Sequence, residues 1–242
     1  MRLLIDAGNT RLKWCLEVDG EAPRYGSGDS QREDPLHGVP VNVPVSRIAM
    51  STVASEARRK ALTAYLEQRF GVVPRCYWSE SHRQGLVNAY AAPERMGADR
   101  WHGMYGAWCQ GGGGFVLVDA GSAITVDMVD PAGAHLGGYI LPGVGMMRRS
   151  LQSDSARVRF AEAPLASVEP GASTDECVHH GIAWLLAAAA ERVAMDARRS
   201  GLTRILVTGG DAEALIRLGL AGQWQPHIVL DGLSAVDRES QA

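Results

Sequence analysis

The sequence predicts an α/β protein of two similar lobes, each a mixed sheet flanked by helices. Two observations carry that expectation. The segment Leu3-Leu-Ile-Asp-Ala-Gly-Asn-Thr10 returns in form, nearly half the chain later, as Val116-Leu-Val-Asp-Ala-Gly-Ser-Ala123, and repetition at that distance suggests two lobes rather than a short-period solenoid. Each copy passes through a glycine turn into a second β-rich run, and helical patterns close each half.

After the first turn the β-rich run is Arg11 to Val18; after the second it is Ile124 to Val129. Asp130-Pro-Ala-Gly133 turns the chain once more into His135 to Leu141, which Pro142-Gly143 ends. Further strand-like runs are Arg47 to Met50, Ile205 to Thr208 and His227 to Leu230. Helical spacing marks Glu56 to Phe70, Arg100 to Cys109, Asp175 to Ser200 with Gly201 as its stop, and Ala212 to Leu220. The glycine run Gly111 to Gly114 precedes the second copy, so the expected lobes are residues 1–112 and 113–242.

A formal net charge of −3 and a sequence pI near 6.2 give no electrostatic footprint for nucleic acid, and no basic amphipathic stretch suggests a membrane surface. MRLLIDAGN reaches Asp6 at once, without the apolar region of a signal peptide, and the longest later apolar run, Ile182 to Ala190, is too short to span a bilayer. A cytoplasmic protein with a small-molecule partner is expected. Cys15, Cys76, Cys109 and Cys177 are scattered without CxxC pairing, which suits reduced thiols.

An acidic residue at a strand end, followed by a hairpin of small residues, suits nucleotide phosphates: the turn lets backbone approach closely and the carboxylate holds Mg²⁺. Asp6-Ala-Gly-Asn-Thr-Arg-Leu-Lys13 supplies these parts, with Lys13 as a point charge for phosphate. One such turn is an ordinary β-turn as readily as a phosphate loop. The second copy at Asp119-Ala-Gly-Ser122 favours the phosphate reading. Leu206-Val-Thr-Gly-Gly-Asp-Ala212 adds a strand ending in paired glycines before a helix, a turn against which adenine or ribose can lie.

That order resembles the superfamily of acetate and sugar kinases, Hsp70 and actin, whose ribonuclease H-like lobes clamp ATP between two phosphate hairpins and an adenosine turn. Within it the chain is similar to the type III pantothenate kinases. The resemblance rests on DxGNT at Asp6 to Thr10, Tyr90 followed by Gly97-Ala-Asp-Arg100, DxG[ST]A at Asp119 to Ala123, GGxIxPG at Gly137 to Gly143, and TGGDA at Thr208 to Ala212. Shared hairpins also leave room for another small-molecule kinase or a polyphosphate hydrolase; Tyr90 and GADR argue against these. A catalytically idle regulatory relative is the alternative of another class, disfavoured by the intact Asp6, Asp99 and Asp119.

The resemblance implies phosphorylation of pantothenate to 4′-phosphopantothenate, the first step of coenzyme A biosynthesis. It implies an ATP loop of Asp6, Ala7, Gly8, Asn9, Thr10, Arg11, Leu12 and Lys13, with Ser122, Gly209 and Gly210 completing the nucleotide site. Tyr90, Gly97, Ala98, Asp99, Arg100 and Thr174 bind pantothenate, and Asp99 is the catalytic base. Mg²⁺ is held at Asp6, directly or through water, and a monovalent cation, K⁺ or NH₄⁺, at Asp119. The active unit is a homodimer in which Thr174 serves the partner's site. On residue type alone Asp99 reads as an N-cap for the adjoining helix, and Arg100 as readily as a surface ion pair. His179-His180 reads as helix surface rather than a metal site, because adjacent helical residues diverge. Trp101, Met104 and Trp108 recur near helical spacing, as a packed face or a surface for a second subunit.

Overall fold

A computed structural model describes every residue except 31, 33, 41, 42, 112, 155–157 and 242. Along the chain run β1 (Arg2–Ala7), β2 (Arg11–Glu17), β3 (Arg24–Asp29), β4 (Arg47–Thr52), α1 (Glu56–Phe70), β5 (Arg75–Tyr77), β6 (His82–Arg83), β7 (Leu86–Val87) and α2 (Ala98–Cys109). Next come β8 (Phe115–Ala120), β9 (Ala123–Val129), β10 (His135–Pro142), α3 (Val144–Asp154), α4 (Thr174–Arg199), β11 (Arg204–Thr208), α5 (Ala212–Arg217), β12 (Gln223–Trp224) and α6 (Ile228–Glu239). The contacts divide the chain into two compact units, Met1–Gly112 with His227–Ala242, and Gly113–Pro226.

The two units repeat one plan. In the first, the sheet order is β3-β2-β1-β4-β5; in the second it is β10-β9-β8-β11-β12. The hairpin β1–β2 is antiparallel while β4 joins β1 in parallel, and β8–β9 with β11 reproduces this arrangement. One face of the first sheet, with Leu3, Ile5, Ile48 and Met50, packs with Leu66 of α1. The residues between them, Arg2, Leu4, Asp6, Ala49 and Ser51, alternate to the other face. The second core joins Val116, Val118 and Val126 to Val178, Ile182 and Leu186 of α4.

Local chemistry starts and stops the helices. Ser55 accepts the Arg58 N–H to cap α1, and Gly71, at φ 68°, ends it in the left-handed conformation. Ser173 accepts the Glu176 N–H at the start of α4, while Glu176 Oε2 reaches back to the Ala172 N–H at 2.7 Å. No helix among the described residues is long and apolar enough to cross a membrane.

His227 to Leu230 is not a strand. It opens α6, whose Ile228, Val229, Leu230, Leu233 and Val236 are all buried at helical spacing, so a short β-branched run took its form from the longer helix it belongs to. This helix also alters the lobe division expected from sequence: it packs on α2 in the first unit. Two glycines bring the backbones together, since a Cβ at Gly106 would lie 2.2 Å from the Ile228 carbonyl oxygen and one at Gly232 only 1.8 Å from that of His102.

Candidate active site

The first hairpin closes when the Gly8 N–H donates to the Arg11 carbonyl at 3.0 Å, so that amide serves the turn itself. Asn9 and Thr10 stand exposed at the tip. Arg58 of α1 donates to the Asn9 carbonyl at 2.7 Å, and Ser30 Oγ to that of Gly8 at 3.1 Å, so the tip is held from both flanks. Asp6 lies opposite Lys13 and beside Ser51 in register, which puts the carboxylate and the ammonium on one face of the sheet. Lys13 also lies close enough to His227 for its charge to reinforce the downward shift that burial imposes on that imidazole.

At the same end of the sheet, α2 presents the GADR residues. Gly97 is the N-cap and offers no side chain, so the helix begins at Ala98 and Asp99 occupies its first turn. Asp99 is therefore not the cap that its residue type suggested. Its Oδ1 accepts the Arg100 N–H at 2.8 Å, and a Cβ at Gly97 would come within 2.5 Å of that oxygen. The glycine thus leaves the space that the Asp99 carboxylate fills. Arg100 is 7% exposed, and its Nη1 donates to the Tyr90 hydroxyl at 2.8 Å. Tyr90, Gly97, Ala98, Asp99 and Arg100 form one cluster, and Arg100 is not the surface ion pair that sequence alone allowed.

In the second unit the Gly121 N–H donates to the Ala123 carbonyl at 3.0 Å, closing the counterpart turn with Ser122 exposed at its tip. Gly143 lies under that tip: its N–H donates to the Ser122 carbonyl at 3.1 Å, and a Cβ there would meet the Gly121 oxygen at 2.3 Å. The Gly209 turn packs from the other side. At φ 96° it needs glycine, and a Cβ would lie 2.3 Å from the Ala120 carbonyl oxygen, to which the Asp211 N–H donates at 2.9 Å. Ser122, Gly209 and Gly210 are therefore gathered around the end of β8 with Asp119. Asp119 is in register with Thr208, whose buried hydroxyl has no hydrogen-bond partner among the described residues. Burial raises the Asp211 carboxyl, with Arg148 opposing the shift.

Thr174 opens α4 beside an open groove of about 1040 Å³ lined by Met146, Met147, Leu151, Ile182 and Leu185. Of the adjacent histidines on α4, His180 donates from Nδ1 to the Glu169 carbonyl, but His179 is not surface: it is 4% exposed, 2.8 Å from the Ala161 carbonyl and edge-on to Phe160. Trp101 and Met104 are fully buried in the first unit. Cys15 is buried, and that burial, with Glu17 nearby, pushes its thiol up to about 12; Cys109 and Cys177 are exposed. Sequence reasoning did not point to Ser51, Thr52 or His102. These are small or singly placed residues inside apolar runs, and nothing in their spacing marks them.

Paired sheets that repeat a hairpin, a parallel strand and a glycine turn define the class: this is the fold of the acetate and sugar kinase, Hsp70 and actin superfamily. A 2-dehydro-3-deoxygalactonokinase structure from Sinorhizobium meliloti superposes with a TM-score of 0.50 at 13% identity over 99% of both chains. A structure from Campylobacter jejuni, described as a Baf family transcriptional activator, gives 0.60 at 19% identity, covering 99% of this chain and 98% of that one. Residues 2–196 match the family Type III pantothenate kinase. A protein of that name from Marinobacter nauticus is 48% identical over 237 residues, 98% of each chain. The chain belongs to the type III pantothenate kinase family.

Proposed function

We propose that this chain transfers the γ-phosphoryl group of ATP to the primary hydroxyl of pantothenate, giving ADP and 4′-phosphopantothenate, the first step of coenzyme A biosynthesis, and that it works in the cytoplasm. The observation that carries this reading is the cluster of Tyr90, Asp99 and Arg100 at the N-terminus of α2, in a chain of this family. Arg100, desolvated and braced by Tyr90, takes the acceptor's carboxylate as a bidentate donor. Asp99 orients the attacking hydroxyl and accepts its proton. A carboxylate is a weak base for an alcohol, so that proton moves late and positioning does most of the work. The transfer is direct and in line, with no covalent enzyme intermediate.

The hairpin from Asp6 to Lys13, with Ala7 and Leu12 pairing at its base, is the ATP loop; Ser122 touches ATP, and Gly209 and Gly210 take the nucleoside. Asp6 supplies one half-buried carboxylate, and among the described residues no group of three or more His, Cys, Asp or Glu side chains could hold a metal. That donor set suits Mg²⁺, which keeps water and phosphate oxygens as most of its ligands. When bound, Mg²⁺ supplies neutralisation of the phosphate charge. Asp119 and the orphaned Thr208 hydroxyl beside it offer oxygen donors for K⁺ or NH₄⁺. The active unit is a homodimer in which Thr174 of one chain completes the pantothenate pocket whose Asp99 belongs to the other.

The deciding experiment couples ADP release to purified protein with pantothenate and with a panel of alternative hydroxyl acceptors, with and without Mg²⁺. Pantothenate-dependent release that requires ATP and Mg²⁺ is the expected result; release indifferent to pantothenate overturns the acceptor assignment.

A further inference from the structure

The face of the first sheet that carries Asp6 also carries Ser51, its neighbour in the β1–β4 register. α2 and α6 cover this face. On α2, His102 is fully buried with Nδ1 2.8 Å from Ser51 Oγ, and the backbone of Ala98 interacts with the same ring. Ala98 directly precedes Asp99. One imidazole therefore joins the neighbour of Asp6 to the neighbour of Asp99. The main chain at this residue is fixed as well, because the Gly232 backbone of α6 packs directly against the His102 carbonyl.

Stability does not account for this pair. Burial, with the charge of Arg83 adding to it, holds the His102 pKa down at about 3, so the ring is neutral and one nitrogen carries no proton. Nε2 is buried and has no hydrogen-bond partner among the described residues. Leaving such an atom unpaired costs at least as much as a neutral hydrogen bond returns net. Apolar groups of similar shape at both positions would therefore hold the fold as well or better. A directional bond supplies what apolar packing lacks, which is a fixed rotation and height of the first helical turn over the strand.

We propose that His102 is a positioning residue: by bonding Ser51 it sets the first turn of α2, and with it the Asp99 carboxylate, against the strand beside Asp6. The catalytic consequence rests on the kinase reading above; the placement of the turn does not.

The test is a set of full-length variants, His102→Leu, Ser51→Ala, the two combined, and His102→Asn, whose amide can stand where Nδ1 stands. In the combined variant the thermal midpoint is expected to hold or rise, while kcat at saturating ATP and pantothenate falls about tenfold and KM for ATP stays within about twofold. His102→Asn recovers part of the lost kcat. Hydrogen–deuterium exchange read on residues 98 to 102 rises about severalfold in the combined variant, with the rest of α2 unchanged. A folded combined variant with parental kcat and parental exchange overturns the proposal, as does a kcat that falls only in step with the folded fraction. A parent that makes no phosphopantothenate overturns the kinase reading instead, and the exchange measurement then decides the positioning role by itself.

Discussion

The Arg100 guanidinium and the Tyr90 ring are joined twice, by the Nη1 donation to the hydroxyl at 2.8 Å and by the approach of Cζ to 5.6 Å from the ring centroid. Tyr90 is anchored in turn, its N–H donating to Asn88 Oδ1 at 3.0 Å. Tyr90→Phe keeps the ring and removes only the acceptor of a charged hydrogen bond, an interaction worth about 1.5–3 kcal/mol. KM for pantothenate is expected to rise about tenfold, with a smaller change in kcat, in steady-state kinetics. An unchanged KM would separate Tyr90 from the acceptor site.

Asp99 lies within the first turn of a helix whose N-cap is Gly97, and an Asn at this position keeps the Oδ1 that accepts the Arg100 N–H. Asp99→Asn is expected to keep the thermal midpoint and ATP affinity while kcat falls about 10²–10⁴-fold, the contribution of a positioned acid–base group. Gly97→Ala reaches the same carboxylate from outside, through a Cβ that would meet Oδ1 at 2.5 Å and Val53 Cγ1 at 3.4 Å. It should lower kcat in a folded protein. Near-parental turnover in Asp99→Asn would leave the carboxylate with no role in proton transfer.

Much of the candidate site's local geometry was legible because it lies in short contiguous motifs. Asp6 to Lys13, Gly97 to Arg100, Asp119 to Ser122 and Thr208 to Ala212 each form one local turn, whose residues stay neighbours whatever the rest of the chain does. The hairpin repeat likewise exposed the plan of both sheets. What escaped is set by long-range packing. His227 to Leu230 turns helical as the start of the longer α6, whose backbone packs against Gly106, more than a hundred residues earlier. That contact also draws α6 into the first unit. His179 looked like surface because its neighbour is, and only the Ala161 carbonyl and the Phe160 ring bury it.

The C-terminal helix is fastened to the first sheet by charge. Asp237, fully buried, accepts from Arg2 at 2.9 Å, Arg47 at 2.6 Å and Tyr77 at 2.8 Å. Asp237→Asn takes from Arg47 its carboxylate and leaves Arg2 with Glu17 alone, and should cost about 3 kcal/mol in urea unfolding, the low end of the penalty for breaking a buried pair. Glu17 belongs to the same network. Burial pushes its carboxyl up, but hydrogen bonds and charge from Arg2, with Ser234 and Arg238, outweigh this and hold it below 4.5. A depressed carboxyl contributes stability that is present above its unfolded pKa and lost as pH falls through the folded value. The stability gap between parent and Glu17→Gln should therefore be constant from about pH 7 to about pH 5 and close below that. A gap that persists undiminished at about pH 3 would mean that Glu17 acts through shape rather than charge.

On α4 the apolar run at residues 182–186 divides sharply: Ile182, Ala183 and Leu186 are buried, whereas Trp184 is 62% exposed and Leu185 49%. On the second unit Tyr139 and Ile140 of the edge strand β10 are exposed as well, at 54% and 63%. Large apolar side chains left in water on this scale suit a second copy of the chain. If Thr174 serves the partner's acceptor pocket, Asp99→Asn and Thr174→Tyr chains are each nearly inactive alone, yet a hybrid dimer collects both defects in one site and leaves the other intact. With random exchange about half of the dimers are hybrids, so mixing the two should restore activity to about a quarter of the parent's. Native mass spectrometry on the same mixture verifies the exchange. Verified exchange without recovery, or a fully active monomer, would place Thr174 outside any shared site.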